Sequence, residues 1–525
     1  MADRRIIIYD TTLREGMQNA GISYTVKDKI RLARLLDDIG VSYIEGGIPG
    51  ANPKDDEFYR EIKKSDLKNA KITAFGSTCR PGIMPEDDAL LCSLVNAGTD
   101  SVCIFGKSWL LHVKDILNCS PEENLCIIKN SVEFLKKAGK EVIFDAEHFF
   151  DGYNADREYA VKTVQAAFEG GADYVVLCET NGGVLPVEFS TIIDELLAEM
   201  PDKKEQFGVH VHNDSGTAVA NSIIAAQKGV SMIQVTLCGW GERCGNADLF
   251  TVVPNLQLKC GFECVKNIEY LYEAASKASG IANIKLNKST PYVGVNAFSH
   301  KAGMHIDAVM KNSASYEHIA PESIGASRRF MLSEVSGRAA VVEKIKRFLP
   351  ELTGDDFDSA LIADKIKQLE LEGYQFEDAD ASFEIMVRRL LGTQREWFRL
   401  ESYKVVNYNQ DEKGKSTASA VVDVCVDGEE EVTAANGIGP VDALDKALRK
   451  ALGRFYPQIS QMRLVDYKVR VLDTKQATAS VVRVVIESTD GESVWSTVGV
   501  SADIIEASFN ALTDSHEYLL NKKIK

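Results

Sequence analysis

The chain has 525 residues, 45% hydrophobic and 26% charged, which is too long for one small domain and ample for a sizeable core, so a large barrel or two to three domains is expected. A formal net charge of −17, dispersed rather than gathered in a tail, reads as solubility and argues against nucleic acid as a partner. No apolar run reaches the roughly 18 residues of a membrane span, and Met1 to Ile8 carries charge without the apolar centre of a signal peptide, so a cytoplasmic protein with no membrane partner is expected.

In chain order, strand-like runs are read at residues 5–10, 43–48, 72–77, 101–106, 141–147, 174–179, 207–213 and 232–239. Helical patterns lie between them. In 26–39, for example, Ile30, Leu32, Ala33, Leu35 and Leu36 are spaced for one buried face, and 124–138 reads likewise. Strict alternation of strand and helix means a parallel sheet, and eight repeats close a (β/α)8 TIM barrel. A doubly wound open sheet is the alternative that pattern alone allows. The eleven cysteines, with no CxxC pair, suit reduced thiols better than a disulfide frame.

In a barrel of this type the chemistry gathers where the strands end. Ionisable and polar residues stand at those ends: Asp10 with Arg14 and Glu15, Glu45, Ser77 and Thr78, Lys107, Asp145 to His148, Glu179 and Thr180, His210 and His212, and the stretch 239–246. Side chains two apart on a strand share a face, so His210 and His212 project together as half a metal site. Glu15, beside Arg14 beyond the first strand, offers the carboxylate that such a site needs. The glycine pairs Gly46-Gly47 and Gly182-Gly183 match no dinucleotide or P-loop spacing and read as tight turns.

The run Asp10-Thr-Thr-Leu-Arg-Glu-Gly with its downstream glutamine, the paired histidines before Asn213-Asp214, and Gly241-Glu-Arg-Cys-Gly-Asn246 together resemble the acyltransferases that condense acetyl-CoA with 2-oxo acids. That family includes 2-isopropylmalate, homocitrate and citramalate synthases. Gly46 to Lys54, Ala74 to Thr78, Phe105 to Lys107, Asp145 to Tyr153 and Cys178 to Gly183 most resemble its bacterial (R)-citramalate branch. The resemblance implies a divalent metal, Mg²⁺, Mn²⁺ or Zn²⁺, held by Glu15, His210, His212 and Asn246. It implies acetyl-CoA as co-substrate and pyruvate as acceptor, with Arg14 stabilising the charge that grows on the keto oxygen and Thr180 binding the substrate carboxylate. Glu147 is the candidate for substrate positioning or proton handling. Beyond the barrel, His305 and Tyr316 are assigned catalytic help from a subdomain that closes over the acetyl-CoA site.

Other residues have plainer readings. Asp10 orients its neighbours rather than binding metal. Glu45 and Glu242 are rim ion-pair partners or touch substrate, and His300 and His318 cap helices or pair with carboxylates. Phe75, Phe105 and Leu177 are expected to line the acceptor pocket.

The tail carries a repeat. Arg399-Leu400-x-x-Tyr403-Lys404-Val405 recurs as Arg463-Leu464-x-x-Tyr467-Lys468-Val469, and Thr417-Ala-Ser-Ala-Val recurs as Thr478-Ala-Ser-Val-Val, about 60 to 64 residues on. Each copy reads as three β runs and a helix: 397–409, 417–426, 432–438 and 441–452 in the first, the second ending with 504–520. Inward Ala420, Val422 and Val424 suit a half-buried sheet in a dimerising layer. The family resemblance implies an end-product regulatory domain with isoleucine as effector, and Gly437, Gly439 and Gly499 are expected in turns that let backbone approach a small ligand. The acidic, helical stretch 350–394, with Asp355-Asp356 and Glu377 to Asp380, reads as a linker. The expected division is a catalytic barrel over 1–285, helical linker subdomains over 286–394 and a regulatory, homodimer-forming α+β domain over 395–525. The alternatives are a sister synthase taking another 2-oxo acid, a carbon-carbon lyase on a related barrel, and an inactive amino-acid sensor.

Overall fold

The computed structural model describes residues 4–331, 338–352, 356–377, 379–408, 417–472 and 480–524. Eight parallel strands pair in sequential order and close on themselves: β1 (Ile7–Asp10), β2 (Tyr43–Glu45), β3 (Lys71–Ser77), β4 (Ser101–Lys107), β5 (Glu141–Glu147), β6 (Tyr174–Glu179), β7 (Phe207–Val211) and β8 (Met232–Val235). Closure sets Ile7 opposite Met232 and Asp10 opposite Val235. The last two strands are shorter than their apolar runs. His212 leaves the sheet to pair as a single bridge with Asn246, and beyond β8 the chain turns through Cys238 at a left-handed φ of +55°.

Strand alternation sorts the side chains into two layers. Ile8, Ala74, Val102, Ile104, Val142, Phe144, Val175, Leu177, Val209 and Ile233 join the core between barrel and helices. Tyr9, Tyr43, Phe75, Cys103, Ile143, Val176, Cys178 and Met232 fill the barrel itself. The helix Val26–Ile39 starts on a capping box between Thr25 and Asp28, ends on left-handed Gly40, and buries Leu32, Leu35, Leu36 and Ile39. Burial of each such side chain contributes about 1.5–3 kcal/mol. The second predicted helix spans Pro121–Lys137, opening three residues earlier because Ser120 caps Glu123 N and Pro121 takes the first helical position.

The chain divides into two compact units, Met1–Phe298 with Ile319–Arg328, and Ser299–His318 with Arg329–Lys525. In the second, the two-residue strands β9 (Ser299–His300) and β10 (Arg329–Phe330) pair in parallel. Helices Gly303–Lys311, Arg338–Lys346, Ser359–Leu371 and Asp380–Leu390 share a core that includes Ile306, Ile345, Ile362, Phe376 and Phe383. Then come two β-β-β-α modules: β11 (Arg399–Tyr408), β12 (Thr417–Val426), β13 (Glu429–Gly437) and the helix Pro440–Phe455; β14 (Arg463–Val471), β15 (Val482–Thr489), β16 (Val494–Ser501) and the helix Ile504–Lys523.

The duplication is structural as well as sequential. Both modules bulge at the same place, between Leu400 and Ser402 and between Leu464 and Asp466. Each also ties strand to helix with an equivalent threonine: Thr433 Oγ1 donates to the Ala447 carbonyl and Thr497 Oγ1 to that of Ala511, both at 2.7 Å. Within 397–409, Asn409 lies outside the described residues, as do Thr478, Asp355 and Asp378.

Two of the three glycines expected in turns lie in strands. Gly437 and Gly499 are strand residues, and only Gly439 sits in the turn that opens a helix. A Cβ on Gly499 would lie 2.0 Å from the Ala507 carbonyl oxygen, and one on Gly437 2.4 Å from Ala443 N. Their bareness admits a helix backbone against the sheet, not a ligand. No helix among the described residues is long and apolar enough to cross a membrane.

Candidate active site

The inward face of each strand continues past the apolar layer into polar side chains at the C-terminal rim. On β5 the series runs Ile143, Asp145, Glu147; on β6, Val176, Cys178; on β8, Met232, Gln234. Gly208 precedes His210 on the same face of β7. These side chains and the first rim loop enclose a cavity of about 350 Å³, lined by Arg14, Glu15, Gln18, Ile48, Phe75, Phe105, Asp145, Glu147, Cys178, Thr180, His210, His212, Glu242 and Arg243. Leu177, expected to line the pocket, is instead packed among the helices, because it stands one residue out of phase with Cys178.

Arg14 is held from three sides. Its Nε donates to Glu45 Oε1 at 2.6 Å, its Nη1 pairs with Glu15 Oε2, and its guanidinium lies 3.8 Å over the Phe75 ring. Glu45 is thus an ion-pair partner, fixed in turn by the Tyr9 hydroxyl at 2.7 Å. Burial works against the Arg14 charge, but Glu45 and Glu15 outweigh it and hold the guanidinium protonated. For Glu15, burial is likewise outweighed, chiefly by Arg14, so its carboxyl stays below the usual range.

The two histidines converge. Their Nε2 atoms are 3.2 Å apart, Asn246 Nδ2 is 3.1 Å from His210 Nε2, and Glu15 Oε1 is 3.9 Å from His212 Nε2. Burial lowers both imidazole pKa values, that of His212 to about 3, so both rings are neutral near pH 7 with a nitrogen lone pair to offer. Asn246 Oδ1 and His212 Nδ1 are buried without a hydrogen-bond partner. Two neutral imidazoles in contact, an orphaned amide oxygen and a carboxylate make a mixed nitrogen and oxygen donor set that fits a divalent cation. Among the described residues no three His, Cys, Asp or Glu side chains are already gathered for a metal, since Glu15 is drawn to Arg14.

Glu147 pairs with Lys107 on the neighbouring strand. Thr180 Oγ1 accepts from His148 N at 3.0 Å, which leaves its own proton to donate into the cavity. Asp10 accepts from the Thr12 amide and hydroxyl, and Thr12 Oγ1 accepts from Leu237 N, so Asp10 ties β1 to the loop after β8. Burial raises the carboxyls of Asp10 and Asp145 to about 7. In the second unit His305 stacks on Tyr316 with ring centroids 4.1 Å apart, and His300 pairs with Glu317 at 3.1 Å. Gly47 and Gly182 do turn with left-handed φ, +126° and +67°.

Two residues carry geometry that sequence reading left unassigned. Arg243, at a φ of +55°, clamps both Asp214 oxygens at 2.8 Å and the Thr180 carbonyl at 2.7 Å. Gln234 bridges Asp145 and His210 at 3.0 and 2.7 Å. The only signal for Gln234 was its even spacing from Met232 on the inward face of β8.

An eight-stranded barrel with this rim matches the HMGL-like family model over residues 5–276, and the chain belongs to that family. Residues 292–373 match the homocitrate synthase post-HMGL domain-like model, and 377–520 the LeuA allosteric (dimerisation) domain. Within the family the chain is 48% identical over 520 residues to the (R)-citramalate synthase of Aquifex aeolicus, covering 99% of this chain and 98% of that one. It is 47% identical to that of Geobacter sulfurreducens, with 98% and 97% covered. Identity to the 2-isopropylmalate synthase of Methanocaldococcus jannaschii is 32%, with 99% and 96% covered.

Proposed function

We propose that the chain is an acyltransferase that condenses acetyl-CoA with pyruvate and water to give (R)-citramalate and CoA, the activity named for the relatives that match it end to end. The reading is carried by one observation: a neutral pair of imidazoles stands beside a charge-locked arginine in a single cavity. A divalent metal, Mg²⁺, Mn²⁺ or Zn²⁺, held by Glu15, His210, His212 and Asn246 would supply electrophilic activation of the keto group. Arg14, held rigid by Glu45, stabilises the negative charge that grows on the keto oxygen. The Thr180 hydroxyl donates to the substrate carboxylate. Glu147, with Lys107 beside it, takes the methyl proton of the acetyl group. His305 and Tyr316 serve the thioester half of the reaction, in which water hydrolyses the citramalyl-CoA and CoA leaves. The ring pair Phe75 and Phe105, stacked at 5.6 Å, walls the cavity and favours a small acceptor.

The division of labour follows: chemistry over 1–285, a linker over 286–394, and an isoleucine-sensing, homodimer-forming domain over 395–525 in a protein of isoleucine biosynthesis. Exposed Val406, Val421, Val432, Val465, Val469 and Val471 on the two sheets support a dimer. Eleven unpaired cysteines support a cytoplasmic setting. The test is free CoA release by the metal-replete protein with acetyl-CoA and each of pyruvate, 2-oxoisovalerate and 2-oxoglutarate, before and after chelation. Preference for pyruvate, abolished by chelator, is expected; preference for a larger acid would overturn the acceptor assignment, and no release with any acid would overturn the activity.

A further inference from the structure

Gln234 is 2% exposed, on the inward face of β8 between two partners of opposite demand. Its Nε2 donates to Asp145 Oδ1 at 3.0 Å, which turns its Oε1 toward His210 Nδ1 at 2.7 Å. A carbonyl oxygen only accepts, so the His210 proton must sit on Nδ1 and the Nε2 lone pair is left facing Asn246 and His212. His212 has no such support, for its Nδ1 is buried and unpartnered. We propose that Gln234 is a positioning residue that, anchored by Asp145, locks His210 in the Nδ1–H tautomer and makes it the preorganised metal ligand of the pair. The inference rests on the metal reading of the site above. Asp145 accepts from this amide at 3.0 Å, and so acts as the anchor of the chain rather than as a ligand. An amide in this place fixes the tautomer without adding a charge beside Arg14 and Glu15.

The experiment uses full-length protein with ¹⁵N-labelled histidine imidazoles, stripped of metal, and Mn²⁺ titrated by calorimetry. Among the eight histidines, one Nδ1–H signature that vanishes in His210→Gln is expected in the parent. In Gln234→Leu that signature should be lost and Mn²⁺ affinity should fall about 10- to 100-fold. Gln234→Glu, which keeps an acceptor for Nδ1–H and keeps the anchor by sharing one proton with the Asp145 carboxyl, should retain the signature and bind Mn²⁺ within a few-fold of the parent. An unchanged signature in Gln234→Leu overturns the proposal, as does its loss in Gln234→Glu, which also decides the matter if the leucine variant does not fold. His212→Ala separates the two readings: if it leaves Mn²⁺ affinity intact the metal site itself is wrong, whereas the tautomer signature still tests Gln234.

Discussion

At the scale of single residues, Arg14 was legible because an arginine beside a glutamate past a strand end is conspicuous, but its restraint was not. The contacts that lock it come from Glu45 on β2 and Phe75 on β3, distant in sequence and brought beside Arg14 by the pairing of the first three strands. Arg14→Lys keeps the charge and loses the fork that reaches Glu45 and Glu15 together. Steady-state kinetics should show kcat falling by roughly 10²–10³, with little change in melting temperature; a drop of less than threefold would mean that the fork does not act on the reaction. His212 makes a second prediction. Its folded pKa of about 3 lies below the unfolded value near 6.5, so the unfolded chain binds the extra proton between those values. The cost is absent above pH 6.5 and grows as pH falls toward 3, by at most about 1.4 kcal/mol per pH unit. In chelator, melting curves from pH 7.5 to 5 should therefore fall more steeply for the parent than for His212→Asn, and parallel curves would remove the burial argument.

At the scale of elements, the barrel could be read because apolar runs and amphipathic helices alternate without interruption. What the runs do not reveal is phase, since strands covered on both sides are apolar on both faces. Leu177 and Cys178 look alike in a run such as Tyr174–Glu179, yet one packs on helices and the other faces the cavity. Phase decides two mutations. Leu177→Ala should cost about 2–5 kcal/mol of stability and leave the ratio of pyruvate to 2-oxoisovalerate turnover unchanged. Phe105→Ala opens the wall of the cavity and should shift that ratio toward the larger acid by about tenfold or more. Competition assays with both acids, beside thermal melts, distinguish the two. The same blindness to tertiary context explains the glycines of the repeat: the residue type signalled close approach, but only the packed module tells that the approaching group is helix backbone.

At the scale of the whole molecule, the expected boundary before Arg395 falls where composition changes, but interactions cross it densely within the second unit. Ser382 Oγ donates to Asp514 at 2.7 Å and accepts from Val498 N at 3.0 Å, while Arg389 reaches both Asp514 and Glu517 at 3.0 and 2.9 Å. Val498 lies in the same core as Phe376, Phe383 and Val387. A chain cut after Gln394 would strip those helices of their partners, leaving Arg389 unpaired and that core open to water. Loss of the proposed isoleucine response alone is what a freely detachable regulatory domain would show. The contacts point further: the truncated chain should also become protease-sensitive within 359–394 and expose apolar surface to dye, while peptides of the barrel strands keep their amide protection. Hydrogen exchange read by mass spectrometry on the two chains checks this. Protection over Ser359–Leu371 and Asp380–Leu390 that survives truncation would show that these helices stand without the duplicated modules, and that regulation does not pass through the bonds of Ser382 and Arg389. If protection is lost there, the effector domain and the helices that precede it are one cooperative body, and a ligand that stiffens the modules must stiffen those helices too.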